Sequence, residues 1–438
     1  MKLAGPRALC WSLAPLAVLC LASWWFMLAL PGAQSFDEVQ LANLAWHWQH
    51  GTIPYADPWQ PPAPFNPYGP LPTWLIAQCG RLGLSPWLAM RLLALVPTVG
   101  ILVVGAIVLR RRHGGGAMLL ALATMALATR PVFWIHMRGR VDGLATALAV
   151  AGFLAGLYGR GKRSALAAAV LLCCATLTKA SMVAAPLALA AALATSRRRR
   201  GLAIGLAWLL LVVGAVSWLQ AITYGGYGAG LHRPITHPLR PFEMAFRTIT
   251  TTALWLLWIL RVWLELSPEQ RRACYPWCWY AWLALVIGSA TSAARGASWN
   301  YLFEFYIVLA LATARLWATG PRPRLAWLLV AQMLGGTLFV AITENPVPAA
   351  RHQAELRRDA LDRLRPFVAA GQRVAVYHNF GASEALLALQ GPSGLDIVDG
   401  LALSDEEAEP LARAALATGR VDVVLHGAPL QATAVAAR

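Results

Sequence analysis

The amino-acid sequence predicts a polytopic α-helical membrane protein of about eleven transmembrane helices, followed by a small extracytoplasmic α/β domain. Three observations lead there. Of 438 residues, 58% are hydrophobic and only 13% charged, with a mean hydropathy of +0.53, whereas soluble domains carry about 25% charged residues. Apolar runs of about 20 residues, enough to cross a bilayer as helix, recur along the chain. The densest basic clusters, Arg110–Arg112, Arg160/Lys162/Arg163, Arg197–Arg200, Arg271/Arg272 and Arg322/Arg324, stand between those runs, as the positive-inside rule requires.

The run 9–30 exceeds the roughly 7–15 apolar residues of a signal-peptide core, and no clear A-x-A site follows it. It reads as an uncleaved first span, with Lys2 and Arg7 in the cytoplasm. Further spans are expected near 87–109, 116–134, 142–158, 164–178, 182–195, 201–222, 246–264, 275–292, 301–317 and 325–342. Several are short, and 164–195 also reads as a tightly bent pair. An odd count puts the tail outside and every basic cluster on a cytoplasmic turn. The net charge of +17 therefore reflects orientation, and no nucleic-acid partner is expected. Most of the seven cysteines lie in or beside apolar runs, and Cys274 and Cys278 have no histidine partners. Neither a disulfide framework nor a zinc site is expected.

Two segments become extracytoplasmic. The loop 31–86 is too long for a plain connector; it opens with a helical pattern over 37–50 and continues as "GTIPYADPWQPPAPFNPYGPLPTW", whose prolines exclude continuous helix. The tail, 345–438, reads helix (349–368), strand (373–378), helix (381–389), short strand (396–398), helix (405–418) and strand (421–426), a small parallel α/β domain. It contains no phosphate loop or catalytic elbow. The membrane domain is 1–344.

The informative basic residues are those the positive-inside rule leaves on outward-facing span ends: Arg138, Arg140, Lys179 and Arg295. Charges at membrane depth are costly and usually face an internal cavity. Four cations beside the carboxylates Asp37 and Glu38 suggest an anion site next to a carboxylate, and a lipid-linked phosphate is the natural anion at that depth. Structural alternatives exist: Asp142 pairing with Arg140, Lys179 snorkelling to the interface, Arg295 pairing with Glu304. His136, His232 and His237 share no ligand spacing and read as loop histidines.

The order of these features is itself a pattern: an acidic pair after span one, "GTIPYAD" and "PYGPLPTW" in the next loop, "RGRVDGLA" opening span four, "LTKAS" after span five, "GASWNYLFE" late in the membrane part, then a small outer domain. It resembles the GT-C superfamily of membrane glycosyltransferases, in the branch of protein O-mannosyltransferases and lipid A aminoarabinose transferases, over nearly the whole membrane portion. The resemblance implies a donor sugar on a polyprenyl phosphate, an active site at the outer membrane face and inversion at the anomeric carbon. It assigns the acceptor-facing carboxylate to Asp37, with Glu38 its neighbour, and the lipid phosphate to Lys179. Tyr55, Asp57, Tyr68, Arg138, Arg140, Asp142, Arg295, Asn300, Tyr301 and Glu304 complete the expected substrate-binding set. Where some relatives carry Lys-Pro-Pro, this chain has Asn66-Pro67-Tyr68, which removes a cation and leaves Tyr55 or Tyr68 to supply a hydrogen bond.

The residue chemistry agrees with that assignment. An attacking hydroxyl needs a proton acceptor, which a carboxylate supplies. The departing phosphate gains charge, which Lys179, Arg295 and Arg140 can stabilise. No cofactor is required, although Asp37, Glu38 and a further carboxylate can hold a divalent metal. The expected partners are a polyprenyl-phosphate-linked sugar, the bilayer, and a glycan, lipid or protein acceptor. The Ala- and Arg-rich composition suggests a bacterial inner membrane. Two rival readings are a transporter or flippase of lipid-linked sugars, and a non-catalytic assembly partner.

Overall fold

A computed structural model describes chiefly residues 36–51, 68–114, 139–228, 259–292, 299–319, 346–377, 423–426 and 431–435, with scattered positions between. The expected spans 9–30, 116–134 and 325–342, most of 246–264, the loop centre 52–67 and the short strand 396–398 lie wholly or largely outside these residues.

After the first expected span come α1 (Phe36–Gln49), α2 (Pro70–Arg81) and α3 (Pro86–His113). The membrane part continues with α4 (Asp142–Tyr158), α5 (Gly161–Thr178), α6 (Ala184–Ser196), α7 (Arg198–Ile222), α8 (Pro268–Ser292), a 3-10 turn (Trp299–Leu302) and α9 (Phe303–Thr319). Among the described residues, α3, α5 and α7 are long and apolar enough to cross a membrane; α4 and α6 are apolar but shorter.

Local sequence sets these boundaries. Ser85 caps α3 by accepting a hydrogen bond from the Leu88 amide at 3.3 Å, and Pro86 occupies the first turn, where a missing N–H costs nothing. The same tolerance explains α2, a helix not expected at the end of the Pro-rich loop. Its prolines fall in the first turn behind Gly69, so they start a helix instead of breaking one. The 164–195 region is two helices, α5 and α6, joined by a tight turn at Lys179.

The bundle packs through small residues. Gly152 and Gly156 on α4 lie against Leu172 of α5 and Leu189 of α6, so close that a Cβ at either would overlap those side chains. Small residues one turn apart let helices approach where lipid supplies no hydrophobic drive. Phe153 adjoins Trp277 and Tyr280 of α8, with ring centroids 5.2 and 4.7 Å away. Helix α9 runs through the core, its Phe303, Phe305, Ile307, Leu309 and Leu311 all buried.

In the tail, α10 (Pro346–Ala369) precedes β1 (Val374–Tyr377), β2 (Val423–His426) and β3 (Gln431–Val435). Strand β1 pairs with β2 in parallel, Val374 opposite Val423, while β2 pairs with β3 antiparallel across a bulge at Val424/Leu425. The sheet is therefore mixed; the expected all-parallel arrangement lacked β3. Val374, Val376, Val423 and Leu425 pack on Ala360, Leu364, Ala385 and Leu386.

Candidate active site

Helix α5 ends at Thr178, and the next residue, Lys179, is extended (φ −150°, ψ 117°). This abrupt stop turns the lysine side chain into the bundle, where the residue is only 4% exposed. Its Nζ donates to Asp142 Oδ1 at 2.5 Å and lies 3.9 Å from the centre of the Tyr301 ring, a cation–π position. Glu304, in the first turn of α9, is within electrostatic reach of the same ammonium and accepts a hydrogen bond from the Tyr280 hydroxyl at 2.8 Å. Asp142 and Glu304 are themselves 0% and 4% exposed. Asp142, Lys179, Tyr301 and Glu304, distant in sequence, thus meet in one place. The ammonium has three N–H donors, of which Asp142 takes one. Asp142 pairs with Lys179, a contact the sequence did not indicate.

The end of the first long loop docks on this corner. The Gly69 amide donates to the Thr178 carbonyl at 3.2 Å, and Tyr68 beside it is buried. A Cβ at Gly69 would overlap the Leu177 carbonyl oxygen, so only glycine permits this approach. Trp48 on α1 donates from Nε1 to Thr73 Oγ1 on α2 at 3.0 Å, locking the two loop helices together.

Glu38 is 0% exposed and meets Arg91 of α3 through two parallel bonds: Nε to Oε1 at 3.0 Å and Nη2 to Oε2 at 3.2 Å. The guanidinium also donates to the carbonyls of Leu30 and Gly32, each at 2.6 Å. A carboxylate with both oxygens on an arginine is a weak proton acceptor and a poor metal ligand. Glu38, expected beside Asp37 in the catalytic pair, is thus held by Arg91. Its Cγ would lie 2.6 Å from a Cβ at Gly139, so Glu38 leans on the turn that leads into Asp142. Asp37 sits in the first turn of α1, next to Glu38, where negative charge is favoured by the helix dipole.

Of the other expected residues, Arg140 is half-buried and engaged in that same turn, and Asn300 lies in the 3-10 turn beside Tyr301. Tyr55, Asp57, Arg138 and Arg295 lie outside the described residues, as does the Asp37 side chain. Sequence reasoning passed over Arg91 and Tyr280. Arg91 carried a usable signal: it is a cation inside the apolar start of α3, away from every basic cluster. Tyr280 carried none, since a tyrosine in an apolar helix is ordinary.

No family model matches the sequence, and no curated protein matches it. Solved structures do. ArnT from Cupriavidus metallidurans, bound to undecaprenyl phosphate, is similar at 17% identity and a TM-score of 0.57, over 93% of this chain and 79% of that one. Its apo form is similar at 18% identity and a TM-score of 0.56, over 94% and 79%. The archaeal oligosaccharyltransferase AglB from Archaeoglobus fulgidus, in complex with an inhibitory peptide and a dolichol-phosphate, is similar at 11% identity and a TM-score of 0.50, over 96% of this chain and 69% of that one. ArnT and AglB are both GT-C superfamily members, and the chain described here has the GT-C membrane fold.

Proposed function

We propose that the protein is an inverting glycosyltransferase that moves a hexosyl or pentosyl group from a polyprenyl-phosphate donor to an envelope glycan, lipid or protein at the outer face of a bacterial inner membrane. The carrying observation is the buried Lys179 corner, with its Asp142 and Tyr301 contacts, lying under the docked end of the loop that begins with the Asp37 helix. The fold adds support, because the similar ArnT structure holds undecaprenyl phosphate.

In this reading the acceptor oxygen attacks the anomeric carbon from the face opposite the phosphate. The carbon–oxygen bond to phosphate breaks, and its electron pair leaves with the polyprenyl phosphate. The acceptor's proton passes to Asp37. Lys179 turns its remaining donors to the phosphate as charge builds, and Asp142 holds the ammonium in place. Tyr68 stands at the loop end to bond the phosphate or sugar. A phosphate departs without a protonating acid, so the step needs no metal.

The test is turnover by the purified protein in detergent, supplied with a panel of undecaprenyl-phosphate sugars and an envelope-lipid extract. Release of free undecaprenyl phosphate with the sugar transferred supports the enzyme. Movement of the donor across liposomes without its consumption supports the transporter reading instead.

A further inference from the structure

Gly32 stands between two parts of the chain. On one side its carbonyl accepts from Arg91 Nη2 at 2.6 Å, and the same guanidinium grips Glu38 with two bonds. On the other side lies the tail. A Cβ on Gly32 would run into Arg357 Nη1 and Glu384 Oε1, which form an ion pair at 3.1 Å with side-chain exposures of 35% and 5%. The backbone at Gly32 has φ +72°, a conformation that favours glycine. Arg357 projects from α10, and Glu384 precedes Ala385 and Leu386, which pack with Ala360 and Leu364 of α10 and with β1. The ion pair thus belongs to one packed body of the tail.

We infer that the C-terminal segment is a clasp on the active site: the Arg357–Glu384 pair presses on one face of Gly32, Arg91 holds the other, and together they fix the chain at Gly32, shortly before the Asp37 helix begins. Arg357, Glu384 and Arg91 are positioning residues in this arrangement. The inference rests on the proposed role of Asp37 for its catalytic consequence, though not for the clasp. Its physical basis is cooperative. Glu384 is nearly buried beside Arg357, where a charge is costly unless paired, so the closed pair is favoured, and a closed pair leaves Gly32 one place to sit. Arg91 has spent its donors on Glu38 and two carbonyls, so shifting Gly32 pulls on Glu38 directly. Productive geometry at a proton acceptor tolerates little movement: a misplacement of about 1 Å can cost a hundredfold.

Hydrogen–deuterium exchange on the full-length protein in detergent, paired with transfer kinetics, tests this. In Arg357→Gln, which removes the cation beside the buried Glu384, amides over 32–43 are expected to exchange about tenfold faster, with 142–158 unchanged. Glu384→Gln should act in the same direction less strongly, because Arg357 is exposed enough to hydrate. The reversed pair R357E/E384R should restore part of the protection. Asp362→Asn, on an exposed ion pair of the same helix (65% and 76% exposed), should change nothing. Transfer should lose kcat while the donor KM stays within about twofold, the pattern of a geometry held only for the reacting state. If Arg357→Gln unfolds the tail, Gly32→Ala wedges the clasp from the loop side and should give the same faster exchange. Wild-type exchange over 32–43 in all three variants, with the protein folded, overturns the clasp. Unchanged kcat in a variant with faster exchange overturns the positioning role. Faster exchange in a protein that transfers no sugar in any form keeps the clasp and sinks the transferase reading.

Discussion

At the end of the bundle where α1 lies, Glu38 and Arg91 are 0% and 1% exposed, and Asp142 and Lys179 are 0% and 4%. At the other end, Arg110, Arg111, Arg160, Lys162, Arg163, Arg198 and Arg199 all stand exposed. Arg200, half-buried there, donates to the carbonyls of Gly156 and Gly161 and to Ser164 Oγ, finishing α4 and starting α5. One end keeps most of its charges in water, where they cost little and orient the chain, with Arg315 beside Tyr158 buried there. The other withdraws Arg91 and Lys179 from water and meets each with a carboxylate. Desolvating an ion pair is expensive, often beyond what its attraction returns, so stability alone is a poor reason for such pairs. Holding reactive groups in fixed geometry is a better one.

Asp37→Asn is the change expected to separate the two ends most. It removes a proton acceptor while keeping size, and transfer should fall by roughly a hundred- to ten-thousand-fold with donor binding retained. Glu38→Gln should cost less, because its task is to hold Arg91 and the loop. Measured kcat for the two variants in folded protein decides the matter. Near-normal turnover in Asp37→Asn beside a dead Glu38→Gln reverses the roles; full activity in both leaves the transferase without a base.

The Lys179–Asp142 pair allows structure and chemistry to be told apart. Lys179→Ala leaves Asp142 buried without its ammonium and should destabilise the protein by about 3–5 kcal/mol, as well as weakening donor binding. Lys179→Met with Asp142→Asn removes both charges, so thermal stability should return close to wild type while donor affinity does not. Lys162→Ala, at the exposed end, should leave both unchanged. Recovery of donor binding in the double variant would make the pair a structural tie. An effect of Lys162→Ala equal to that of Lys179→Ala would erase the contrast between the ends.

Much of this was legible in the chain, for reasons that differ by residue. The bounds of α4 fall where the apolar run 142–158 placed them, because "RGRVDG" breaks the helix on one side and "YGRGK" on the other. Lys179 stood out because it is a lysine between two apolar runs on the side the positive-inside rule leaves poor in cations. Its partner did not, since Asp142 lies 37 residues away. Helix α2 was hidden by prolines that break a helix in its interior and begin one in its first turn. Strand β3, "QATAV", is short and weakly apolar, and only its pairing with β2 defines it. The Arg357–Glu384 contact with Gly32 joins segments over 300 residues apart, which no local pattern encodes.

A smaller effect probes how the α1 end treats a titratable group other than by pairing charges. Burial first, and then the nearby His50, push His47 on α1 down to about 4 from the usual 6.5. In the unfolded chain His47 takes up a proton near pH 6.5, while in the folded protein it stays neutral until about 4. Between those values the unfolded state binds more protons, so acidification lowers stability across that window and the contribution is lost by its lower edge. Above the window it is fully present. His47→Gln removes the titration, and its melting temperature should therefore fall less than that of the wild type between pH 7 and pH 4.5, by roughly 2–4 °C for each kcal/mol involved. Parallel declines for the two proteins would mean that His47 titrates alike folded and unfolded, and that α1 is more open to water than its burial implies.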